Sequence, residues 1–193
     1  MQHIPVLRDS LIEALVTRSD GIYVDATYGR GGHARALLDR LSEKARLVVI
    51  DRDPAAVESA NELSHIDGRV IPIHATFTKI PAALEEFELS SVSGVMLDVG
   101  VSSPQLDDPT RGFSFKENGP LDMRMDPTKG LSVADWLTTV EEQELAQIIW
   151  KYGQERDSRR IARAIIQGLP LLTTGQLVET VTRAKSENKK NKH

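Results

Sequence analysis

Apolar and polar positions follow a strand–helix rhythm through the first hundred residues. Four short apolar runs, at residues 21–26, 46–53, 70–75 and 94–99, are typical of strands buried in a parallel sheet. Helical periodicity between them predicts right-handed crossovers. With the first strand central, the expected spatial order is 3-2-1-4. Pro72 supports this order, because proline cannot donate a ladder hydrogen bond and so favours an edge strand.

The helices between these strands are predicted from apolar residues that recur every three or four positions. Asp53-Pro54 indicates one helix start, with Asp as the cap and Pro in the first turn. A short helix is also expected within residues 3–16. The expected apolar faces are Leu37, Leu38 and Leu41; Ala56, Val57, Ala60 and Leu63; and Ile80, Leu84 and Phe87.

The pattern changes after residue 99. Residues 101–129 are rich in Pro, Gly, Ser and Asp and predict a long structured loop, which in a compact domain is usually functional. Only helical patterns follow, and the tail at 185–193 is expected to fray. Helix starts are predicted at Ser132, at Thr139 with Glu142 as a capping box, at Asp157 or Ser158, and at Thr173 or Thr174; Trp136 and Trp150 are expected in the core.

We therefore expect two parts with a boundary near Pro104. Residues 1–104 form an α/β half-sheet, and residues 105–193 combine the long loop with an all-helical module. The chain has 193 residues, 40% of them hydrophobic and 27% charged, as in soluble globular proteins. No apolar run approaches a membrane span, and the N-terminal residues lack a signal-peptide pattern. The absence of cysteine excludes disulfides and fits a cytoplasmic location; no metal site is predicted.

Charge is unevenly distributed along the chain. The net charge is −4, yet residues 151–193 hold ten Lys and Arg against four Asp and Glu, so the first 150 residues carry −10. A basic second part can attract a polyanion. The simpler interpretation, favoured from charge alone, is that Arg156, Arg159, Arg160 and Arg163 form the solvated face of a helix.

The best candidate for chemistry is the segment 24–33 (VDATYGRGGH). A buried strand, a glycine-rich turn and a helix let the backbone approach a ligand closely. Asp51 ends the next strand, where an acid commonly holds the hydroxyls of an adenosine ribose. Asp25 precedes the turn and would repel a dinucleotide phosphate but suit the sulfonium of S-adenosylmethionine. The alternative for Asp25 is a loop cap without ligand contact.

Longer motifs identify a family resemblance across essentially the whole chain. The segments are 97–107 (LDVGVSSPQLD), 111–115 (RGFSF), 119–126 (GPLDMRMD), 152–156 (YGQER) and 160–165 (RIARAI), together with the glycine turn and His3, Pro5, Val6 and Leu7. These segments resemble the bacterial 16S rRNA (cytosine-N4)-methyltransferase family. The resemblance implies a Rossmann-like class I methyltransferase half-sheet, followed by a helical module that the family inserts between two strands.

The same resemblance implies a function and a set of site residues. The expected reaction is S-adenosylmethionine-dependent N4-methylation of a cytidine in the decoding region of 16S rRNA, within the small ribosomal subunit. Ser102, Ser103 and Pro104 are the candidate catalytic segment, supplying acceptors for the amine hydrogens. The cofactor contacts implied are Gly31, Gly32, His33, Asp51, Phe77, Asp98 and Gln105.

Several positions depart from the family pattern or permit a plainer interpretation. Ser10 and Gln154 replace Glu, and Asp157 replaces an aromatic residue, which predicts altered packing in the helical module. Family members continue beyond the point matching His193 with strands that complete the sheet, so strand four is expected to be an open edge.

Other side chains have two interpretations each. Ser102 and Ser103 could be turn formers, and Phe77 could be core or an adenine platform. Phe113 and Phe115 could stack on RNA or anchor the loop. Arg111 and Arg124 could contact phosphates or pair with Asp122 and Asp126, with internal pairing favoured for Arg124.

Two alternative functions follow from the same residues. One is a truncated cofactor-binding protein without methyltransferase activity. The other is a nicotinamide-dependent oxidoreductase built on the same half-sheet.

Overall fold

The structure is a computed structural model that describes residues 7–190, with side chains through residue 186. The matched residues His3, Pro5 and Val6 and the last three residues of the expected tail lie outside this range. The chain divides between Ser102 and Ser103 into two compact units. The boundary predicted from the sequence, between residues 104 and 105, lies two residues further along the chain. The separate roles of the two parts stay a prediction.

The first unit is a four-stranded parallel sheet with helices on both faces. Its order, β3-β2-β1-β4, confirms the predicted fold. Pro72 lies in the edge strand β3, opposite Val49 of β2. The elements are α1 (Arg8–Leu15), β1 (Ile22–Asp25), α2 (Gly32–Leu38), β2 (Arg46–Asp51), α3 (Pro54–Ile66), β3 (Val70–His74), a 3₁₀ turn (Phe77–Lys79), α4 (Ile80–Glu86) and β4 (Gly94–Met96).

Alternation along the central strands builds two cores. Tyr23, Leu47 and Val49 face the helices α1, α2 and α3, where Leu37 and Leu63 complete the packing. The intervening positions face the other way, towards α4; they are Val24, Val48 and Ile50. Because both faces are covered, these strands are apolar throughout, as the sequence predicted.

Some local predictions about the first unit are confirmed and others are wrong. The Asp53 side chain accepts the Ala55 N–H and caps α3, as expected. Leu41 lies beyond the end of α2, although it is still buried. Phe87 lies after α4 and is exposed rather than packed. β4 stops at Met96, so Asp98 lies in the loop and not on the strand.

Among its described residues, the second unit contains helices and one isolated bridge, between Pro120 and Thr173. Its core holds Leu121, Leu137, Leu145, Ile161 and Ile165. The elements are α5 (Ser103–Asp107), a 3₁₀ turn (Pro109–Arg111), α6 (Val133–Leu137), α7 (Glu142–Gly153), α8 (Ser158–Gln167) and α9 (Thr174–Lys190). Across the described residues, we find no helix with the combination of length and apolarity that crossing a membrane requires.

The long loop is held by contacts within itself and by a bond to a later segment. Arg124 pairs with Asp122, with Nη2 2.6 Å from Oδ2, which confirms the internal pairing expected for this arginine. Arg111 donates to the carbonyl oxygens of Arg124 and Met125. The Leu121 N–H donates to the Leu172 carbonyl, which ties the loop to the segment before α9.

Three predictions about the helices were tested by local contacts. Ser132 caps α6 by accepting the Asp135 N–H, as predicted. The capping box at Thr139 is wrong: α7 begins at Glu142, and the Thr139 hydroxyl donates back to the Trp136 carbonyl. Asp157 causes no apolar mismatch at the start of α8, because its carboxylate lies 2.7 Å from Nη2 of Arg160.

Candidate functional site

Three carboxylates lie at the carboxyl edge of the sheet in the first unit. Asp25 ends β1, Asp51 ends β2, and Asp98 lies two residues after β4. In a parallel sheet these ends share one edge, which is where ligands bind in open α/β folds. The glycine-rich turn between β1 and α2 lies at the same edge.

The Asp51 carboxylate holds the glycine turn in place. Its Oδ2 accepts the Gly29 N–H at 2.8 Å, and its Oδ1 accepts the Asp53 N–H at 2.9 Å. The Tyr28 N–H also donates to the Ile50 carbonyl, so the turn is joined to β2 at two places. Each carboxylate oxygen has a further lone pair, so Asp51 can serve the turn and a ligand together.

The turn requires glycine at Gly31, the residue that caps α2. Its φ of 70° lies in the left-handed region, where a side chain is strained. A Cβ there would also lie 2.5 Å from the hydroxyl oxygen of Tyr28, whose ring is buried beneath the turn. Close packing against Tyr28 therefore excludes any side chain at position 31. Sequence reasoning gave Tyr28 no role.

Asp25 is a buried carboxylate with one of its two oxygens unpartnered. The residue is 2% exposed, and its Oδ1 accepts the Thr27 N–H at 3.2 Å. Its Oδ2 is buried without a hydrogen-bond partner. Burial, with repulsion from Asp51 and Asp98, raises the pKa of Asp25 to about 7, against the lowering effect of the Thr27 N–H. Buried carboxylate oxygens are usually hydrogen-bonded, which makes this oxygen a candidate ligand contact.

Asp98 is positioned through its backbone. Its N–H donates to Oγ1 of Thr27 at 2.7 Å, while its carboxylate is 64% exposed at the edge of the sheet. Nδ1 of the buried His33 lies 3.9 Å from Oδ2 of Asp98. Thr27 thus connects the loop after β1 to the loop after β4. The sequence contained no signal for this contact, since a threonine in a turn is common.

The remaining predicted residues are distributed over both units. Phe77 begins the turn after β3 and is 43% exposed. Ser102 closes the first unit, with its Cβ 3.9 Å from the position that a Cβ on Gly29 would occupy. Ser103, Pro104 and the buried Gln105 belong to α5 of the second unit.

The chemistry of this edge favours a cation. Three carboxylates lie there, and the Gly29 N–H already donates to one of them, so a phosphate would meet like charge. A ligand with positive charge would satisfy the unpaired oxygen of Asp25 and lower its pKa. Among the described residues, His, Asp and Glu side chains form no cluster of three or more that could hold a metal ion.

Comparison with known proteins identifies the family. The profile of the MraW methylase family matches residues 1–193. The chain belongs to the MraW methylase family. The resemblance identified from the signature motifs is thereby confirmed.

Curated relatives of this MraW methylase family chain are named ribosomal RNA small subunit methyltransferase H. The relative from Acinetobacter baumannii is 53% identical over 194 residues, and that from Burkholderia thailandensis is 49% identical over 199 residues. A relative from Burkholderia ambifaria is also 49% identical over 199 residues. Each match covers all of this chain and 63% of the relative, so the chain spans less than two thirds of their length.

Proposed function

We propose that this MraW family protein transfers a methyl group from S-adenosylmethionine to N4 of a cytidine in the decoding region of 16S rRNA. The observation that carries the proposal is the buried Asp25 oxygen without a partner, beside Asp51 and Asp98. A sulfonium donor suits this negative edge, whereas a nicotinamide dinucleotide brings phosphates to it. Membership of a methylase family supports the same choice.

The proposal assigns the donor to the carboxyl edge of the sheet. Asp51 would hold the ribose hydroxyls with the lone pairs that the turn leaves unused. Gly31 and Gly32 would allow close approach, and Phe77 offers an exposed ring for the adenine. The full set of proposed contacts is Gly31, Gly32, His33, Asp51, Phe77, Asp98 and Gln105.

The residues after β4 are proposed to activate the base. The cytosine amine is a weak nucleophile because its lone pair is delocalised into the ring, so it needs in-line positioning and acceptors for its hydrogens. The target must be unstacked to enter the site. Ser102, Ser103 and Pro104 are the proposed segment. The Pro104 carbonyl already accepts the Asp108 N–H, which favours the serine groups.

The proposal extends to the setting of the reaction. The substrate is 16S rRNA within the small ribosomal subunit, and the reaction takes place in the cytoplasm. The names of the relatives support an rRNA substrate for the whole protein. The chain spans 63% of the length of those relatives, so methyl transfer by this chain is a proposal that needs its own test.

Two measurements test the proposal in sequence. Calorimetric titration of the chain with S-adenosylmethionine should give saturable binding, and titration with a nicotinamide dinucleotide should give none; the reverse result would establish the oxidoreductase alternative. Incubation with methyl-labelled S-adenosylmethionine and small subunits should then label 16S rRNA at one cytidine. Binding without label in RNA would leave a cofactor-binding protein and overturn the proposed reaction.

A further inference from the structure

Trp150 lies on the solvent side of α7, contrary to the prediction that it belongs to the core. Leu145 and Ile149 of the same helix pack into the core of the second unit. Trp150 is 57% exposed. An indole left in water forgoes the stabilisation that its burial would give. Packing within the described part of the chain therefore does not account for a tryptophan at this position.

Trp150 lies in a groove of polar and cationic side chains. Gln147, Trp150 and Lys151 are spaced i, i+3 and i+4, which puts them on one stripe of α7; Gln154 caps the end of the helix, and Arg156 follows it. These five residues, called here the Trp150 groove, line a volume of about 720 Å³. Its lining includes two amides, two cations and one indole, and no carboxylate.

Neighbouring contacts preserve the positive charge of the Trp150 groove. Glu155, the acid next to it in sequence, is paired with Lys185, with Oε2 2.5 Å from Nζ, and also accepts the Asp157 N–H. The Lys151 ammonium lies 5.2 Å from the centroid of the exposed Tyr152 ring, which favours a defined position for this cation. The groove thus offers an aromatic face with cations beside it.

We propose that the Trp150 groove binds a single-stranded segment of the rRNA substrate. One unpaired base stacks on the indole, the flanking phosphates lie at Lys151 and Arg156, and the glutamine amides contact the base edge. This inference rests on the proposed function, since it takes RNA as the substrate. The stacked base is not the methylated cytidine, because the groove contains none of the proposed donor or catalytic residues.

Charge and geometry favour single-stranded RNA over other occupants. An apolar protein segment would bury Lys151 and Arg156 without partners, which is costly. A duplex keeps its bases stacked on one another, so it cannot offer a base face to Trp150. A phosphate alone would use the cations and leave the indole unexplained.

Tryptophan fluorescence reports directly on this groove. The chain has two tryptophans, so Trp136→Phe leaves Trp150 as the sole emitter. Titration of this variant with a single-stranded oligoribonucleotide copied from the decoding region should quench its emission in a saturable way. Duplex RNA of the same length and heparin should quench it far less. Absence of quenching by the single strand, or equal quenching by heparin, would overturn the proposal.

Substitutions separate stacking from charge. Trp150→Ala should weaken binding of the oligoribonucleotide by about fivefold to 100-fold, whereas Trp150→Phe should retain most of the affinity. Lys151→Gln and Arg156→Gln should each reduce the slope of log affinity against log salt by about 0.7. Arg183→Gln, which removes an exposed arginine of α9 outside the groove, is the matched control and should change neither.

Donor titration keeps the two proposals apart. All of these variants should bind S-adenosylmethionine as the parent chain does. If Trp150→Ala binds RNA and S-adenosylmethionine as the parent chain does, the groove is not the RNA-binding site. The methyltransferase proposal would then still stand. If the parent chain does not bind S-adenosylmethionine but its Trp150 fluorescence is still quenched by RNA, the methyltransferase proposal fails and the Trp150 groove remains an RNA-binding site.

Discussion

Asp51 combines a structural contact with a proposed binding contact. It accepts the Gly29 and Asp53 N–H groups, and its remaining lone pairs are available to ribose hydroxyls. Removal of its carboxylate should therefore loosen the glycine turn and weaken donor binding together.

For Asp51→Ala we expect S-adenosylmethionine binding weaker by about 1.5–3 kcal/mol, the usual loss for hydrogen bonds to a charged group. Calorimetric titration measures the change. Glu13→Ala, which removes an exposed carboxylate of α1, is the matched control and should bind normally. An unchanged dissociation constant for Asp51→Ala would mean that the donor site lies elsewhere.

Asp25 should make the stability of the protein depend on pH. Its pKa rises from the ordinary 3.8 to about 7 on folding. Because the folded protein holds this proton more tightly, the stabilising contribution of Asp25 is fully present below the pKa of the unfolded chain. It is lost as the pH rises through the pKa of the folded protein. Between about pH 4 and pH 8 this group alone should lower the free energy of unfolding by on the order of 4 kcal/mol.

Asp25→Asn should separate stability from binding. Near pH 8 the variant should be more stable than the parent by about 1–3 kcal/mol, after the cost of an unpaired amide, because no charge is buried. The gain should shrink towards about pH 4, where the parent carboxyl is protonated. Urea unfolding at both pH values measures this, and calorimetry should show weaker donor binding. If Asp25→Asn and the parent were equally stable at pH 8, burial of the ionised Asp25 carboxylate would not be destabilising, contrary to this prediction.

At the level of elements, the turn into α2 requires glycine at position 31. Gly31 has a left-handed φ and lies against the Tyr28 ring, so neither the backbone nor the space admits a side chain. Gly68, between α3 and β3, has no atom within 4 Å of its added Cβ and no such φ.

Gly31→Ala should lower the free energy of unfolding by at least about 1–2 kcal/mol, the cost of the left-handed conformation, with the Tyr28 contact adding to it. Gly68→Ala is the matched control and should be nearly neutral. Urea denaturation of the two variants beside the parent decides the matter. Similar midpoints for both substitutions would show that the turn adapts.

In helix α7 the apolar pattern predicts the burial of some residues correctly and that of Trp150 wrongly. Leu145 and Ile149 face the core as their spacing predicted. Trp150 lies one turn after the buried Ala146, yet its side chain is 57% exposed. Residue type and helical spacing both permitted burial of Trp150, so the packing of neighbouring elements decided its exposure.

At the level of the whole molecule, donor binding should leave a local footprint. If the first unit holds S-adenosylmethionine, amide hydrogen exchange should slow at the end of β1, through the glycine turn and at the end of β2. Helices α7, α8 and α9 should exchange as before. Mass spectrometry with and without donor measures this, with a nicotinamide dinucleotide as the control ligand. Protection confined to the helical unit would reverse the roles proposed for the two parts.

The order of the elements and the acids that end β1 and β2 were determined by the sequence itself. Burial imposes a period of two on strands and of 3.6 on helices, and both periods are legible in a single chain. Pro72 and the Asp53 cap act locally, so their effects were predictable as well. The family motifs likewise needed no coordinates.

Only the tertiary structure decided which groups meet. The pairing of Asp51 with Gly29, the Thr27 contact to Asp98 and the unsatisfied oxygen of Asp25 depend on distances between residues far apart in sequence. The short β4 and the exposure of Trp150 depend on the same long-range packing. Periodicity records which side of an element is buried, but it carries no information about the neighbour that covers it.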